Sequence, residues 1–440
     1  MARAKKETAL TPEERLQAAL VPDWEWPYKL PENWCWTYFK SISTIQTGKK
    51  DANYGSDEGK YPFFTCAAEP IRCHGYSFDC RAILLAGNGD INNISRYNGK
   101  FEAYQRTYVV KIAEPLCFDY IFYWFKYRWF DFNKGKMFGT AIPYIRLGNL
   151  QEFPTPIPPL AEQQRIVDRI ESLFAKLDEA KEKAQAVVDS FETRKAAILH
   201  KAFTGELTAK WREEHGVWME SWEYIPFETI IEKMQNGLAK RKGISGTPYV
   251  VLRLANLTDC GFNTDDLREI LLDEKEQANY ELRPNDVIMI RVNGSKDNVG
   301  KQYLITNQHH WAFCDHIIRI RYSSSLLPQY MVYFSKSKNY RIYVKENIVS
   351  SAGQNTISRK GMANLHVPLP RMNEQSEIVR ILDMAFAEEQ QAKEAAEAVL
   401  DQIDLMKKSI LARAFRGELG TNAPSEESAV ELLKRGLEKK

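Results

Sequence analysis

The sequence predicts an α+β fold: two globular α/β domains separated by two long helices that pair as an antiparallel intramolecular coiled coil. Residues 162–207 recur as residues 374–419 without a gap, and 21 of the 46 aligned positions are identical. Each copy carries a heptad pattern of apolar residues, which is typical of a long paired helix. A block of short aromatic and β-branched runs, broken by Gly and Asn, precedes each copy and indicates strands joined by turns. Together these observations predict a duplicated unit with pseudo-two-fold symmetry.

Proline-rich stretches mark where each variable block gives way to a repeat. Pro154, Pro156, Pro158 and Pro159 close the first block, and Pro368 and Pro370 fall at the offset of Pro156 and Pro158 in the second. Proline disfavours a helical residue before it, so the chain should run extended there. The predicted segments are a lead-in (1–30), a first variable domain (31–159), a first repeat helix (160–212), a second variable domain (213–371), a second repeat helix (372–420) and a tail (421–440).

Several shorter elements outside the repeats can also be predicted. Thr11 followed by Pro12 predicts the start of a short helix, with Thr as cap and Pro in the first turn. Residues 118–132 are apolar nearly all round at helical length, which indicates a buried helix. Residues 328–344 are predicted to form one helix of the second block.

The two variable blocks open on a faint echo of each other. Trp34 corresponds to Trp222, and Gly48 corresponds to Gly237. The echo lies where a duplication would place it, so the two blocks are predicted to share a fold although little of their sequence agrees.

The heptad positions define the seam along which the two long helices should meet. Apolar residues recur at steps of four and three from Ile166 to Phe191, and again from Ile378 to Ile403 with Glu389 as the one interruption. A heptad seam needs a partner, and the other copy is the natural one. Alanines in the middle of each seam would let the helix axes approach closely. The predicted seam residues are Ile166, Ile170, Ala180, Ala184, Val187, Ile378, Leu382, Ala392, Ala396 and Val399.

Composition indicates a soluble protein of the cytoplasm. The chain has 440 residues, 44% of them hydrophobic, and no apolar run of the length that a membrane span needs. Its seven cysteines are an odd number without a secretion signal, which predicts reduced thiols. The even spacing of Cys66, Cys73 and Cys80 around His74 raises the alternative of zinc, but the Cys-x-x-Cys pairs usual in structural zinc sites are missing. We therefore predict no metal site.

Motifs of catalysis are also missing from the sequence. We find no phosphate-binding loop, dinucleotide loop, nucleophile elbow or zinc-protease motif. The histidines His309, His310 and His316 lie near Asp315, which leaves a metal or general-base role open, although a cluster at a strand edge is the favoured interpretation. The sequence therefore offers no motif that would support an enzymatic role.

Two similar domains held at a fixed distance by paired helices suit a linear target with two half-sites, and DNA is the obvious one. Loops that pair cations with amides are the candidates for contacts with it. The 60 Lys and Arg residues barely exceed the 58 Asp and Glu residues, so a nucleic-acid surface must be local. Arg and Lys neutralise phosphates and bind guanine, and Asn and Gln bind adenine. The first block offers Lys49, Lys50, Asn88, Asn92, Asn93, Arg96, Lys134 and Lys136. The second offers Lys240, Arg241, Lys242, Arg291, Asn293, Lys296 and Asn298.

The proline-rich lead, the Glu-Gln that opens each repeat and the closing motifs AFTGEL and AFRGEL resemble the specificity subunit of Type I restriction–modification systems. The resemblance covers about residues 25–420. It implies that each variable block is a target-recognition domain for one half of a split DNA sequence, and that the helices set the gap and dock the methyltransferase subunits. It also implies partners: two modification subunits that use S-adenosylmethionine, and restriction subunits that need ATP and Mg²⁺. The resemblance also implies that this chain is non-catalytic and binds no cofactor itself.

Apolar surface at the ends of the repeats, including Phe203 and Phe415, is predicted to dock the modification subunits. An alternative from another functional class remains: a two-lobed coiled-coil scaffold with protein partners and no DNA specificity.

Overall fold

The computed structural model describes residues 11–259 and 261–438. By its internal packing the chain divides into two compact units. Unit 1 comprises Met1–Ala184 and Ala398–Lys440, and unit 2 comprises Gln185–Glu397. In the part of the chain that the structure describes, no helix combines the length and apolar character needed to cross a membrane.

The first half of the chain runs from a short capped helix to the first long helix. The Thr11 side chain accepts from the backbone N–H of Glu14, whose carboxylate accepts from Thr11 N–H, as the helix start at Thr11 predicted. In order, the elements are α1 (Pro12–Ala19), β1 (Cys35–Tyr38), β2 (Ser43–Thr47), β3 (Tyr61–Phe64), β4 (Ile71–Cys73), β5 (Phe78–Ala86), β6 (Ile94–Ala103), β7 (Thr107–Ile112), α2 (Phe118–Asn133), α3 (Leu147–Gln151), β8 (Pro154–Ile157) and α4 (Leu160–Phe203).

The second half contains more and shorter strands before the second long helix. They are α5 (Ala209–His215), β9 (Glu223–Pro226), β10 (Ile231–Asn236), β11 (Thr247–Leu252), β12 (Leu257–Thr258), β13 (Gly261–Phe262), β14 (Glu269–Leu272), α6 (Glu274–Tyr280), β15 (Val287–Ile290), β16 (Val292–Asn293), β17 (Gln302–Leu304), β18 (Trp311–Phe313), β19 (Ile317–Tyr322), α7 (Pro328–Phe334), α8 (Lys338–Glu346), β20 (Val349–Ser351), β21 (Gln354–Thr356), α9 (Arg359–Met362), β22 (His366–Leu369), α10 (Met372–Ala414) and α11 (Ala429–Glu438).

Unit 1 is built on a six-stranded sheet in the order β2-β7-β5-β6-β3-β4. The helix predicted from residues 118–132 is α2, and its Tyr120, Trp124, Phe125 and Trp129 are buried in the largest core cluster. The proline-rich segment after it is extended, as predicted, and forms β8 against β1. Large aromatic side chains bury much apolar surface each, so α2 is the main anchor of this core.

Unit 2 repeats this plan with a more divided sheet. A four-stranded sheet in the order β10-β19-β15-β17 lies beside a three-stranded sheet, β14-β11-β18, and β22 pairs with β9 as β8 pairs with β1. The single helix predicted over residues 328–344 is wrong. The structure has two helices, α7 and α8, because Ser337 between them caps α8 by accepting from the Tyr340 N–H.

Inside each unit, α4 and α10 run antiparallel, as predicted. In unit 1, Asp178 pairs with Lys407 and Lys181 pairs with Asp404, so numbers rise on one helix as they fall on the other. In unit 2, Arg194 donates to Glu389 at 2.7 Å. This ion pair explains the one heptad position that lacks an apolar residue.

The seam is narrower than the heptads predicted. Ile166, Ile170, Ala184, Ile378, Leu382 and Ala396 are buried, and Ala180 and Val187 are half-buried. Ala392 is exposed and Val399 is 40% exposed, so these two predictions are wrong. Two helices that pack on each other bury only a narrow strip, and residues off that strip stay in water. The isoleucines at the helix starts also belong to the domain cores, Ile166 in unit 1 and Ile378 in unit 2.

Candidate nucleic-acid interface

Each unit presents a turn that closes against a glycine, at the same place in both folds. Gly48 follows β2, and a Cβ there would lie 1.8 Å from the Ala103 carbonyl oxygen; at Gly237, after β10, it would lie 2.1 Å from the Cys314 carbonyl oxygen. Only glycine permits such an approach of two backbone segments. This packing is the physical cause of the Gly48 and Gly237 echo in the sequence.

The turns themselves have the same hydrogen bonding. Thr107 N–H donates to the Tyr104 carbonyl at 2.8 Å, and Ile317 N–H donates to the Cys314 carbonyl at 2.9 Å. Each turn leads into a central strand, β7 or β19. We call residues 104–107 the unit 1 turn and residues 314–317 the unit 2 turn.

The first predicted pair of cations lies beside the unit 1 turn. The Lys50 carbonyl accepts from the Gln105 N–H at 2.9 Å. The Lys50 ammonium lies 4.4 Å from the centre of the Tyr54 ring, while Lys49 is exposed. Both lysines are therefore placed at a surface that a polyanion could reach.

The asparagines between β5 and β6, and the arginine within β6, have mixed surroundings. Asn88 forms a backbone bridge with Tyr144, and Asn92 is exposed. The Asn93 side chain donates to the Cys66 carbonyl at 2.8 Å, which holds a loop. Arg96 is paired with Asp119 and stacks on Phe122. Asn93 and Arg96 thus have structural partners already.

Lys134 and Lys136 lie just after α2. Lys134 is exposed, and its N–H donates to the Phe130 carbonyl as the last bond of the helix. The Lys136 ammonium lies 3.6 Å from the centre of the Phe132 ring. Among the described residues, neither lysine forms a hydrogen bond or an ion pair with the unit 1 turn.

In unit 2 the segment Lys240, Arg241 and Lys242 lies against the unit 2 turn. Arg241 donates to both carboxylate oxygens of Asp315, at 3.0 and 3.1 Å. Lys240 pairs with Glu276 at 2.7 Å, and Lys242 is exposed. The Arg241–Asp315 pair is partly exposed, and ion pairs at the surface contribute little to stability, so Arg241 can exchange this acid for another anion.

The other predicted group of unit 2 follows β15. Arg291 donates to the carbonyl of Asp315 at 3.4 Å, so it converges with Arg241 on the same turn. Asn293 pairs with Asn355 in the small β16-β21 sheet, and its side-chain oxygen accepts from the Ser295 N–H at 2.9 Å. Asn298 and Lys296 belong to the same local loop, in which Lys296 is exposed.

Cys314, Asp315 and His316 are the one grouping of described residues whose ligand atoms lie close enough to hold a metal ion. Arg241 occupies the carboxylate of Asp315, and burial raises the pKa of the Cys314 thiol, which disfavours the thiolate that binds metals. The arrangement therefore suits a cationic surface better than a metal. His309 stacks on Trp311 and His310 contacts Tyr249, away from this grouping.

The cysteines considered for zinc do not form such a group. Cys73 donates to the carbonyls of Tyr61 and Gly75, and Cys66 donates to that of Arg106. All six described cysteines are free thiols, in line with the prediction of reduced cysteine; Cys260 lies outside the described residues.

Phe203 and Phe415 are not available for docking, so that prediction is wrong. Phe415 is fully buried, with its ring 5.0 Å from that of Trp124 and 5.2 Å from that of Tyr120. Phe203 is buried against Tyr330 and Phe334. Each phenylalanine joins the end of a long helix to a domain core. Burying the aromatic ring there is favourable because it removes apolar surface from water.

Four arginines near the two turns, all exposed or half-exposed, were not among the residues predicted from the sequence: Arg106, Arg146, Arg253 and Arg268. Arg106 lies in the unit 1 turn itself, while the other three are distant from the turns in sequence. The one sequence signal for Arg106 was its place between two strand-like runs, in EAYQRTYVV. The other three arginines carried no such signal.

Comparison with known proteins places these surfaces in context. Residues 31–188 and 229–398 match the family described as the Type I restriction modification DNA specificity domain. The Type I restriction enzyme StySPI specificity subunit of Salmonella potsdam is 34% identical over 284 residues, which are 64% of this chain and 61% of that protein. The EcoDI specificity subunit of Escherichia coli is 27% identical over 416 residues, 89% of this chain and 90% of that protein.

A solved structure has a similar fold. The crystal structure of the HsdS subunit from Thermoanaerobacter tengcongensis has a TM-score of 0.59 to this chain at 20% identity, covering 90% of this chain and 100% of that one. At this identity the likeness concerns the fold. The match to the StySPI subunit spans 61% of that protein's length, which is less than two thirds of it.

Proposed function

Because this chain belongs to the Type I restriction–modification DNA specificity family, we propose that it recognises a bipartite DNA sequence, one half-site through each unit. The observation that carries the proposal is the duplication of a whole recognition surface: each unit has its own core, its own glycine-closed turn and its own cations beside that turn. A linear target with two half-sites is the natural ligand of two such surfaces.

The contacts with DNA are proposed to divide by chemistry. The exposed lysines Lys49, Lys134, Lys242 and Lys296 suit phosphates, because they carry charge without a fixed hydrogen-bond geometry. Asn88 and Asn92 suit base edges. Lys50, Asn93, Arg96, Lys136, Lys240, Arg241, Arg291, Asn293 and Asn298 already have protein partners, and their role would include holding the loops in place.

The chemistry is proposed to belong to partners. Modification subunits, two in number, would bind S-adenosylmethionine and methylate adenine, and restriction subunits would use ATP and Mg²⁺. The paired helices α4 and α10 would set the distance between the half-sites and offer their outward faces to these subunits. This chain would recognise the DNA sequence and hold the duplex while a base is flipped out.

Mapping methylated adenine across the genome tests the proposal. Cells with and without this chain, each expressing the modification subunits, are compared by single-molecule sequencing. We expect one split motif to lose its methylation when the chain is absent and to regain it when the chain is restored. Methylation that is identical in both cells, with the modification subunits present, would contradict a specificity role.

A binding measurement separates this function from that of a protein scaffold. The chain with its modification subunits should bind the split motif, and binding should weaken steeply between about 50 and 200 mM salt. A scaffold without DNA specificity would bind a motif duplex and a scrambled duplex equally weakly at about 50 mM salt.

A further inference from the structure

Both units carry a pocket beside the glycine-closed turn, and both pockets are lined by cations without a single carboxylate. In unit 1 a pocket of about 450 Å³ includes Gln105, Arg106, Tyr144 and Arg146. In unit 2 a pocket of about 290 Å³ includes Lys240, Arg241, Arg253, Arg268 and His316.

Two larger pockets of the molecule lack this feature. A pocket between α2 and α11 in unit 1 is lined by Asp119, Glu426, Glu427 and Glu438 as well as by arginines. A pocket beside the second half of α4 in unit 2 is lined by Glu192 and Asp259 together with lysines. Clustered cations without acids therefore distinguish the turn pockets from these larger concave surfaces.

In unit 1 both arginines have N–H groups available to bind an anion. Arg106 forms no ion pair with any residue that the structure describes, and its backbone position is set by the unit 1 turn. The Arg146 guanidinium lies 3.9 Å from the centre of the Phe138 ring and donates to the Tyr144 hydroxyl at 3.4 Å. Stacking of this kind orients a guanidinium while its remaining N–H groups stay free to donate.

In unit 2 the arginines of the pocket are held by two acids and by one another. Arg253 pairs with Asp266 at 2.8 Å, and Arg268 donates to the carbonyl oxygen of Arg241. Arg241 in turn is held by Asp315. Asp315 also contacts His316, and Glu276 pairs with Lys240, so acids hold these cations although no acid lines the pocket.

The two pockets occupy equivalent places, although their cations come from different positions in the chain. Arg106 and His316 are the third residues of their turns, and both line the pocket. Arg146 lies after α2, whereas Arg253 and Arg268 lie around the β12-β13 hairpin, which unit 1 lacks among its described residues. The same surface charge has been built twice with different residues, so the charge itself is the shared feature.

We propose that each turn pocket seats a phosphate of the DNA backbone, one in each half-site. This inference rests on the proposed function and names residues that position the duplex, as distinct from those that recognise bases. Guanidinium groups bind phosphate through paired N–H donors. Phosphate contacts position a protein on the duplex without reading its sequence, which suits two pockets that share a charge but differ in their residues. A phosphate seated at each turn would then hold each unit in register on the duplex.

The test compares two double variants of the full chain in complex with its modification subunits. They are Arg106→Ala with Arg146→Ala, and Arg253→Ala with Arg268→Ala. The matched control is Arg359→Ala with Lys360→Ala, which removes the same two positive charges from an exposed pair on α9. Binding to the split motif and to a scrambled duplex is measured from about 50 to 200 mM salt, the range over which phosphate interactions weaken most visibly.

We expect each pocket variant to lower the salt slope by about 0.9 for each phosphate that it no longer neutralises, which is roughly an eightfold weaker affinity at about 0.1 M salt. The motif and the scrambled duplex should weaken in parallel, because the pocket does not bind a base. Arg106→Lys with Arg146→Lys should keep the slope of the wild type. Thermal melting of each variant checks that the fold is retained.

Phosphate-ethylation interference assigns the two pockets to the two half-sites. Each pocket variant should lose interference at phosphates of one half-site only, and the control should lose none. Slopes equal to the wild type in both pocket variants, or an equal drop in the α9 control, would overturn the inference. A wild-type complex that prefers no duplex would instead overturn the proposed function, so the two failures are distinguishable.

Discussion

The two units bury the same glutamate at the start of a long helix, but they satisfy it differently. In unit 2, Glu374 accepts from Thr208 at 2.7 Å, Arg212 at 2.6 Å and Trp222 at 3.0 Å, and all four residues are buried. In unit 1, Glu162 accepts from Thr421 at 2.6 Å and from Arg165 at 2.8 Å.

The arginine of unit 1 is the point of difference. Arg165 is 37% exposed and is shared between Glu162 and Glu426, whereas Arg212 is 10% exposed and pairs with Glu374. Each arginine also donates to a backbone carbonyl. A buried carboxylate needs a compensating partner, and the cost of losing that partner rises as water is excluded.

The source of these partners also differs. Thr208 and Arg212 belong to the segment that follows α4, but Thr421 and Glu426 belong to the tail after α10. The tail is fastened to the first part of the chain: α11 packs on α1 of the lead-in, and Asn422 donates to Asn33, just after the lead-in. The lead-in and the tail together therefore form in unit 1 what one continuous segment forms in unit 2.

The largest expected effect concerns the phenylalanines that join the long helices to the cores. Phe415→Ala should cost about 4–5 kcal/mol of unfolding free energy and Phe203→Ala about 3–4 kcal/mol, because each leaves a cavity among aromatic rings. Urea unfolding followed by circular dichroism measures both. Equal stability of wild type and either variant would contradict the buried positions.

Removing the arginine that pairs with the buried glutamate should cost a different amount of stability in each unit. Arg212→Ala leaves Glu374 buried with one charged partner fewer and should cost about 3 kcal/mol. Arg165→Ala should cost about 1 kcal/mol, since water reaches its site. Denaturation of the two variants under the same conditions gives the comparison, and a larger effect for Arg165→Ala would reverse our interpretation.

The threonine that donates to each glutamate offers a matched pair of smaller changes. Thr208→Val and Thr421→Val keep the shape of the side chain and remove one hydrogen bond to a carboxylate, at about 1–2 kcal/mol each. Thermal melting measures both. Destabilisation by Thr421→Val alone would mean that the tail holds unit 1 more strongly than the segment after α4 holds unit 2.

The smallest expected effect is on pH dependence within unit 1. Burial raises the pKa of Glu162, so its contribution to stability is present at low pH and is lost as pH rises through the raised pKa. The hydrogen bond from Arg165 lowers the pKa of Glu426, so its contribution is present above the ordinary glutamate pKa and is lost as pH falls.

Gln substitutions should therefore shift stability in opposite directions. As pH rises from about 3 to 7, across the ordinary glutamate pKa, Glu162→Gln should gain stability relative to wild type and Glu426→Gln should lose it, each by less than about 1 kcal/mol. Unfolding free energies measured in small pH steps give the slopes. Slopes of the same sign would contradict the assignment.

Much of the architecture followed from residue patterns. The capped start of α1, the buried helix α2 and the antiparallel pairing of α4 with α10 were all predictable, because caps, apolar faces and heptads act over a few residues. The division of residues 328–344 into two helices was missed, because the serine cap at Ser337 outweighed a continuous apolar pattern.

The candidate interface was only partly predictable. The segment around Arg241 lies at the turn, but Arg96 and Asn93 have structural partners, and the arginines Arg146, Arg253 and Arg268 were not predicted. A cation's neighbours come from distant parts of the chain, so its availability to a ligand does not appear in its local sequence.

The sequence by itself determined the duplication, the long helices and the family, because these are written in residues that repeat at fixed spacing. Only the tertiary structure decided which side chains are exposed and available to bind a ligand. Packing buried Phe203 and Phe415 in the cores and left Ala392 in water. It also placed the tail beside the lead-in and brought arginines from separate segments to the two turns. Contacts between distant segments depend on how the whole chain packs, and local patterns do not encode them.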